Sequence, residues 1–176
     1  AKKKSPSPQL REQRKEPGAL AHPTSTIPQF QHAQKLLFAQ YATTKVLAES
    51  ASLGDAASGI LQAICESLGW EHGALWTVDH QAGVLRCLET WHSLAVAFSE
   101  FEAVSKRTTF PRGIGLPGRV WANGEPAWIP DAVQDPNFPR APIATREGLH
   151  AAFGFPILLR GEVQSVLEFF SPEILV

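Results

Sequence analysis

Residues 113–118 read Gly-Ile-Gly-Leu-Pro-Gly, a literal G-x-G-x-x-G. In a dinucleotide site, glycines at this spacing let the backbone approach a pyrophosphate that sits on a helix N-terminus. That chemistry also needs a buried strand just before the motif and an acidic residue about 20 positions after it. Here the preceding residues, SKRTTFPR, are polar and contain proline, and Asp131 and Asp135 come too early. Pro117 removes one of the N–H donors a phosphate would need. The stretch therefore predicts a tight turn, with Pro117 opening a short helix.

The other reactive residue types form no familiar constellation. Six histidines (His22, His32, His72, His80, His92, His150) show no H-x3-H spacing, and no C-x2-C occurs, so no metal is expected. His150 precedes an apolar strand and is placed to line a cavity. There is no G-x-S-x-G and no paired-carboxylate arrangement, so no catalytic residue is assigned. Cys65 and Cys87 both fall in apolar periodic segments, which suits buried free thiols in a reducing compartment. A redox role for Cys87 would require a low-pKa thiol beside a cation.

Glu168 stands apart because it lies inside the apolar strand 163–170. Alternation puts it on one side with Val166 and Phe170, away from Val163, Leu167 and Phe169. A carboxylate there is costly unless it meets solvent, a partner or a ligand. Aromatic side chains supply the rest of a candidate apolar pocket. Trp91, Trp121, Trp128, Phe138 and Phe153, with His150 and Glu168 as polar contacts, are the residues expected to line it.

These residues need elements to hold them. Phe30, Ala33, Leu37, Tyr41, Ala48 and Ala51 recur as one stripe of a long helix, which Gly54 should break. Asp55 is placed to cap a second helix with Ile60, Leu61, Ile64, Cys65 and Leu68 on its apolar face, closed by Gly69. Strands are expected at 74–78 and 84–91 as a hairpin, at 127–129, and at 151–159 and 163–170 joined by an Arg160-Gly161 turn. Residues 94–106 fit a short helix or an irregular connection, and short helices fit 119–123 and 143–147. Strands and helices do not alternate regularly, which argues for α+β with an antiparallel sheet rather than a doubly wound sheet.

Bulk composition agrees with one globular domain: 176 residues, 44% hydrophobic and 19% charged. Net charge is -1, so no global field recommends nucleic acid, and no basic stripe interleaves the aromatics. No run of about 18 apolar residues exists to insert into a membrane. Residues 1–29 hold five prolines and six Lys/Arg against two Asp/Glu, the composition of a flexible basic linker; residues 30–176 form the globular body. The chain begins at Ala1 and lacks methionine, which reads as a piece of a longer polypeptide.

Four stretches carry a resemblance: ILQAICESLGWEHGALWTVD, GIGLPGRVWANGEPAWIPD, DPNFPRAPIATREGLHAAFGFPI and GEVQSVLEFFSPEI. Over about residues 36–174 the chain resembles the GAF family of small-molecule sensory domains, above all those of bacterial multidomain sensor histidine kinases. The resemblance implies a central antiparallel sheet of five or six strands with the end helices on one face. Residues 92–149 would cover the other face and enclose a ligand cavity. It also implies a cytoplasmic, non-catalytic module whose end helices pair across a homodimer, the C-terminal one being cut short at Val176. A structural dimerisation module without ligand is one alternative, and a cysteine-based redox enzyme of the same family is another. Covalent bilin is not expected, since its cysteine would fall near Pro139-Arg140 and none follows Cys87. The cyclic-nucleotide signature and the cysteine cluster of the methionine sulfoxide reductases are also missing, and His92 or His150 lacks a haem motif.

Overall fold

The computed structural model describes residues 53–94 and 99–174. The long helix and linker expected before Leu53, and the helix expected after Pro172, lie outside the described residues or at their edge. In chain order the elements are α1 (Leu53–Leu68), β1 (His72–Asp79), β2 (Val84–His92), α2 (Ser99–Arg107), β3 (Thr109–Pro111), α3 (Gly115–Asn123), β4 (Ala127–Ile129), a 3-10 turn (Ala132–Gln134), α4 (Ala141–Glu147), β5 (Ala151–Leu159) and β6 (Glu162–Ser171). Helix α1 already runs through Gly54 and Asp55, so Asp55 is a helical residue rather than its cap.

The six strands form one antiparallel sheet in the order β3-β2-β1-β6-β5-β4. The α+β architecture expected from the sequence is therefore the one observed. Strand β3 was not expected, because Pro111 and its polar neighbours do not suit a buried strand. It is an edge strand pairing only with β2, where a residue without an N–H removes no ladder hydrogen bond on the open side. The β5–β6 turn at Arg160 and Gly161 has φ of 54° and 84°, the positive values that two-residue hairpins use.

Each sheet face has its own core. On one face, Ala56, Ala57, Ile60, Leu61, Ile64 and Cys65 of α1 pack on Leu75, Leu167 and Phe169. These helix positions recur at three- and four-residue spacings, so burial follows from one apolar stripe. On the other face, the layer formed by α2, α3, the 3-10 turn and α4 packs on Trp76, Leu85, Val166 and Phe170.

Two extra residues decide which side chains reach which core. Leu75 pairs with Glu89 but Trp76 pairs with Cys87, so Leu88 is unpaired. Ile157 pairs with Ser165 but Leu158 pairs with Val163, so Gln164 is unpaired. Each bulge reverses the alternation of its strand. Val163 thus shares the loop-side core with Val166 and Phe170 instead of facing away with Leu167 and Phe169.

Candidate functional site

The glycine-rich turn is a clamp. The Gly113 N–H donates to the Gly118 carbonyl (2.7 Å), and the Gly118 N–H to that of Ile114 (3.2 Å). The Gly115 N–H donates to Asn137 Oδ1 (3.0 Å), and Asn137 Nδ2 donates back to the Gly113 carbonyl (2.9 Å). The three glycine N–H groups of the motif are thus spent inside the protein. Gly115 needs its φ of +66°, and a methyl group there would also strike the Phe110 ring. At Gly118 a methyl group would overlap the Pro111 carbonyl oxygen. Helix α3 begins at Gly115, earlier than expected, with Pro117 in its first turn, where a missing N–H costs no helical bond.

The clamp extends to the segment that follows. Arg119 donates to both Asp135 oxygens at 3.0 Å, and Asp135 accepts from the Asn137 N–H at 2.7 Å. Burial pushes the Asp135 carboxyl up, but Arg119 and the Asn137 N–H outweigh it and hold the group below the usual range. Replacing Asn137 with Ala should lower the unfolding free energy by about 1–3 kcal/mol, because the Gly115 N–H and Gly113 carbonyl lose their partner. Urea denaturation measures this, and an unchanged midpoint would contradict the clamp.

Three residues beyond the clamp lies Arg140. This residue immediately precedes α4, and its side chain runs under the loop layer, only 2% exposed. Its guanidinium donates to Glu168 Oε1 at 2.6 Å and to Ser105 Oγ of α2 at 2.8 Å. Five rings surround it, with centroids 4.7–5.4 Å from the guanidinium carbon: Trp76, Phe101, Phe110, Phe138 and Phe170. Ring faces carry negative potential, so this cage attracts a cation. The second Glu168 oxygen accepts from the Trp76 indole at 2.9 Å. Glu168 is fully buried; burial pushes its carboxyl up, and Arg140 and the Trp76 N–H oppose that push by favouring the charged form. Arg140 Nε has no hydrogen-bond partner.

The residues expected to line one pocket fall in different places. Glu168 and Phe138 belong to the caged cluster. Trp91, Trp128 and Phe153 lie on the α1 face, where Trp128 meets Phe153 and Trp70 at 5.5 Å and is half exposed. Regular alternation from Leu85 and Cys87 would carry Trp91 to the loop side, and the Leu88 bulge turns it to the helix side. Trp121 lies at a surface cleft of about 400 Å³ with His80, Arg112 and Glu162, and Arg112 covers its ring at 5.4 Å. Trp91 borders another cleft of about 410 Å³, with Gln62, Glu66 and His92. His150 Nδ1 lies 3.0 Å from Asp131 Oδ1 at the layer's margin.

Arg140, Ser105 and Phe101 went unmarked in the sequence. One signal was present: Arg140 is the lone charge in Phe138–Ala144, as Glu168 is in Val163–Phe170. Two isolated opposite charges in apolar runs are candidates for each other.

The remaining titratable groups add context. His72 on β1 is fully buried, and burial, the Arg140 charge, His92 and Lys106 bring its pKa down to about 3, so it is neutral at pH 7. His92 Nδ1 lies 2.9 Å from Glu102. Burial pushes both thiols up, that of Cys87 to about 12, opposite to what a reactive thiolate needs. Among the described residues, no three His, Cys, Asp or Glu side chains are grouped to hold a metal. No helix among them is long and apolar enough to cross a membrane.

Solved structures share this fold. The GAF domain of a phosphoenolpyruvate-protein phosphotransferase from Coxiella burnetii aligns at a TM-score of 0.66 and 23% identity, covering 81% of this chain and 80% of that one. The A. aeolicus nlh2 GAF domain in an inactive state aligns at 0.63 and 22% identity, covering 80% and 81%. Free methionine-R-sulfoxide reductase from Neisseria meningitidis, in complex with its substrate, aligns at 0.62 and 18% identity, covering 89% and 81%. Curated proteins provide no match. At these identities the likeness speaks for the fold alone. Residues 50–175 match the GAF domain family itself, and the chain belongs to that family.

Proposed function

We propose that the chain is a non-catalytic regulatory module of a bacterial signalling protein, a sensor histidine kinase by its sequence resemblance. It senses a small ligand beneath the α2–α4 layer. The observation that carries this is the Arg140–Glu168 pair, buried in an aromatic cage. A fold kept only for mechanical reasons gains little from such a pair, since well-packed apolar residues in its place are often neutral or stabilising. A strand-borne carboxylate facing a guanidinium carried on a connecting segment instead supplies a contact that can be made or broken. A ligand shifts such an equilibrium only as far as it prefers one state. The module acts in the cytoplasm as a homodimer that passes this shift along its end helices.

One observation favours a second reading, a structural dimerisation module. Arg140 and five of the protein's own rings occupy the interior beside Glu168, while two clefts of about 400 Å³ lie elsewhere on the surface. Thermal melts and native mass spectrometry across a metabolite panel separate the readings. Sensing predicts a saturable rise in Tm with at least one compound, lost when Glu168 and Arg140 are both replaced. A flat panel from a protein that purifies without any small molecule would favour the scaffold.

A further inference from the structure

The charge of the ligand can be read from which half of the buried pair is able to leave. Glu168 is fixed. It sits on β6, flanked by β1 and β5, and the Trp76 indole holds its second oxygen independently of Arg140. Arg140 reaches the same carboxylate from a non-helical position ahead of a seven-residue helix. Its Nε, buried with no hydrogen-bond partner, marks a fit that is adequate but incomplete. With the guanidinium withdrawn, what stays behind is a carboxylate, the Ser105 hydroxyl and five ring faces. Such a set attracts positive charge and repels negative charge.

We propose that Arg140 is a tethered occupant of a receptor for small organic cations, and that a guanidinium or alkylammonium compound takes its place. This rests on the sensing role proposed above and names the ligand class. Tethering gives Arg140 a high effective concentration, so a free cation competes at a disadvantage in the wild type and binds freely once the side chain is removed. An anion would be excluded unless Arg140 stayed and Glu168 gave way, which its strand position prevents.

The test is Arg140→Ala in the full chain at neutral pH, titrated with ethylguanidinium, which restores the atoms the substitution removes. Calorimetry and thermal melts should show saturable binding, at least about tenfold tighter than that of the neutral isostere ethylurea. The wild type should bind at least about tenfold more weakly than the variant. Arg140→Ala combined with Glu168→Gln should lose at least about tenfold in affinity, since the charge partner is gone. If Arg140→Ala alone is unfolded, ethylguanidinium should restore its circular dichroism spectrum and ethylurea should not.

Three outcomes would overturn the cation receptor: no saturable effect of ethylguanidinium on binding or folding, equal binding of ethylurea, or binding of acetate by the wild type that Arg140→Ala abolishes. The last of these, or a neutral metabolite stabilising the wild type through this interior, leaves sensing intact while removing the cation. Ethylguanidinium binding to Arg140→Ala by a protein whose wild type ignores every compound tried sinks sensing and, with it, the displacement of Arg140; it upholds only the cation preference of the vacated interior.

Discussion

Replacing Glu168 or Arg140 singly with Ala should cost about 3–5 kcal/mol of unfolding free energy, read from chemical denaturation at pH 7. Each substitution strands a charge that is almost wholly shielded from water. In Arg140→Ala the stranded group is the Glu168 carboxyl, which burial already pushes up, and removing its cation pushes it further. The folded variant then takes up a proton at a higher pH than the unfolded chain, whose ordinary carboxyl titrates near 4.3. Its stability is therefore lost as pH rises from that unfolded value through the raised folded one. Relative to the wild type, the deficit of Arg140→Ala should shrink on acidification toward pH 5. A deficit constant from pH 7 to pH 5 would contradict this account. Replacing the pair together with Met and Leu should recover most of the loss, because no charge is left alone.

Acidification should meanwhile weaken the wild type itself through His72. In the folded protein this imidazole stays neutral down to about pH 3, while in the unfolded chain it protonates near 6.5. Between those values the unfolded chain holds one more proton, so stability is present above 6.5 and falls with pH by about 1.4 kcal/mol per unit. At pH 5 the loss amounts to roughly 2 kcal/mol. The His72 ring meets Phe101 and Phe170 edge-on at 5.3 and 5.8 Å, so His72→Phe preserves the packing and removes the titration. Urea denaturation at pH 7.5 and pH 5 compares the two proteins. The difference between the two pH values should be about 2 kcal/mol smaller in the variant, and equal differences would exclude His72 as the source.

The fold was largely legible because it rests on local signals. The apolar stripe of α1, the alternating strands and the Arg160-Gly161 turn are each written within a dozen neighbouring residues. Glu168 was legible for a different reason, as a carboxylate out of place in an apolar strand. Its partner was not, because Arg140 lies 28 positions away on an irregular segment, and only the folded topology brings the two together. The aromatic wall was legible in type and not in place. Trp and Phe serve either core equally well, and the unpaired Leu88 and Gln164 decide their sides without any local mark in the sequence. The G-x-G-x-x-G turn shows the converse. Its spacing matches a phosphate cradle, yet its N–H groups close on Asn137 and on the turn's own carbonyls.

The extra residue Leu88 lets one ribbon of chain serve two masters. Before it, Leu85 and Cys87 belong to the layer that shelters Arg140; after it, Trp91 belongs to the helix on the opposite side. Deleting that single leucine would leave length and composition almost untouched, yet force a choice. Either Leu85 and Cys87 would turn out of the sheltered layer, or Trp91 would be driven in beside the arginine. A miscount of one in this strand is therefore a change of interior, and insertions or deletions here should be far less tolerated than substitutions of Leu88 itself, whose side chain is half in solvent.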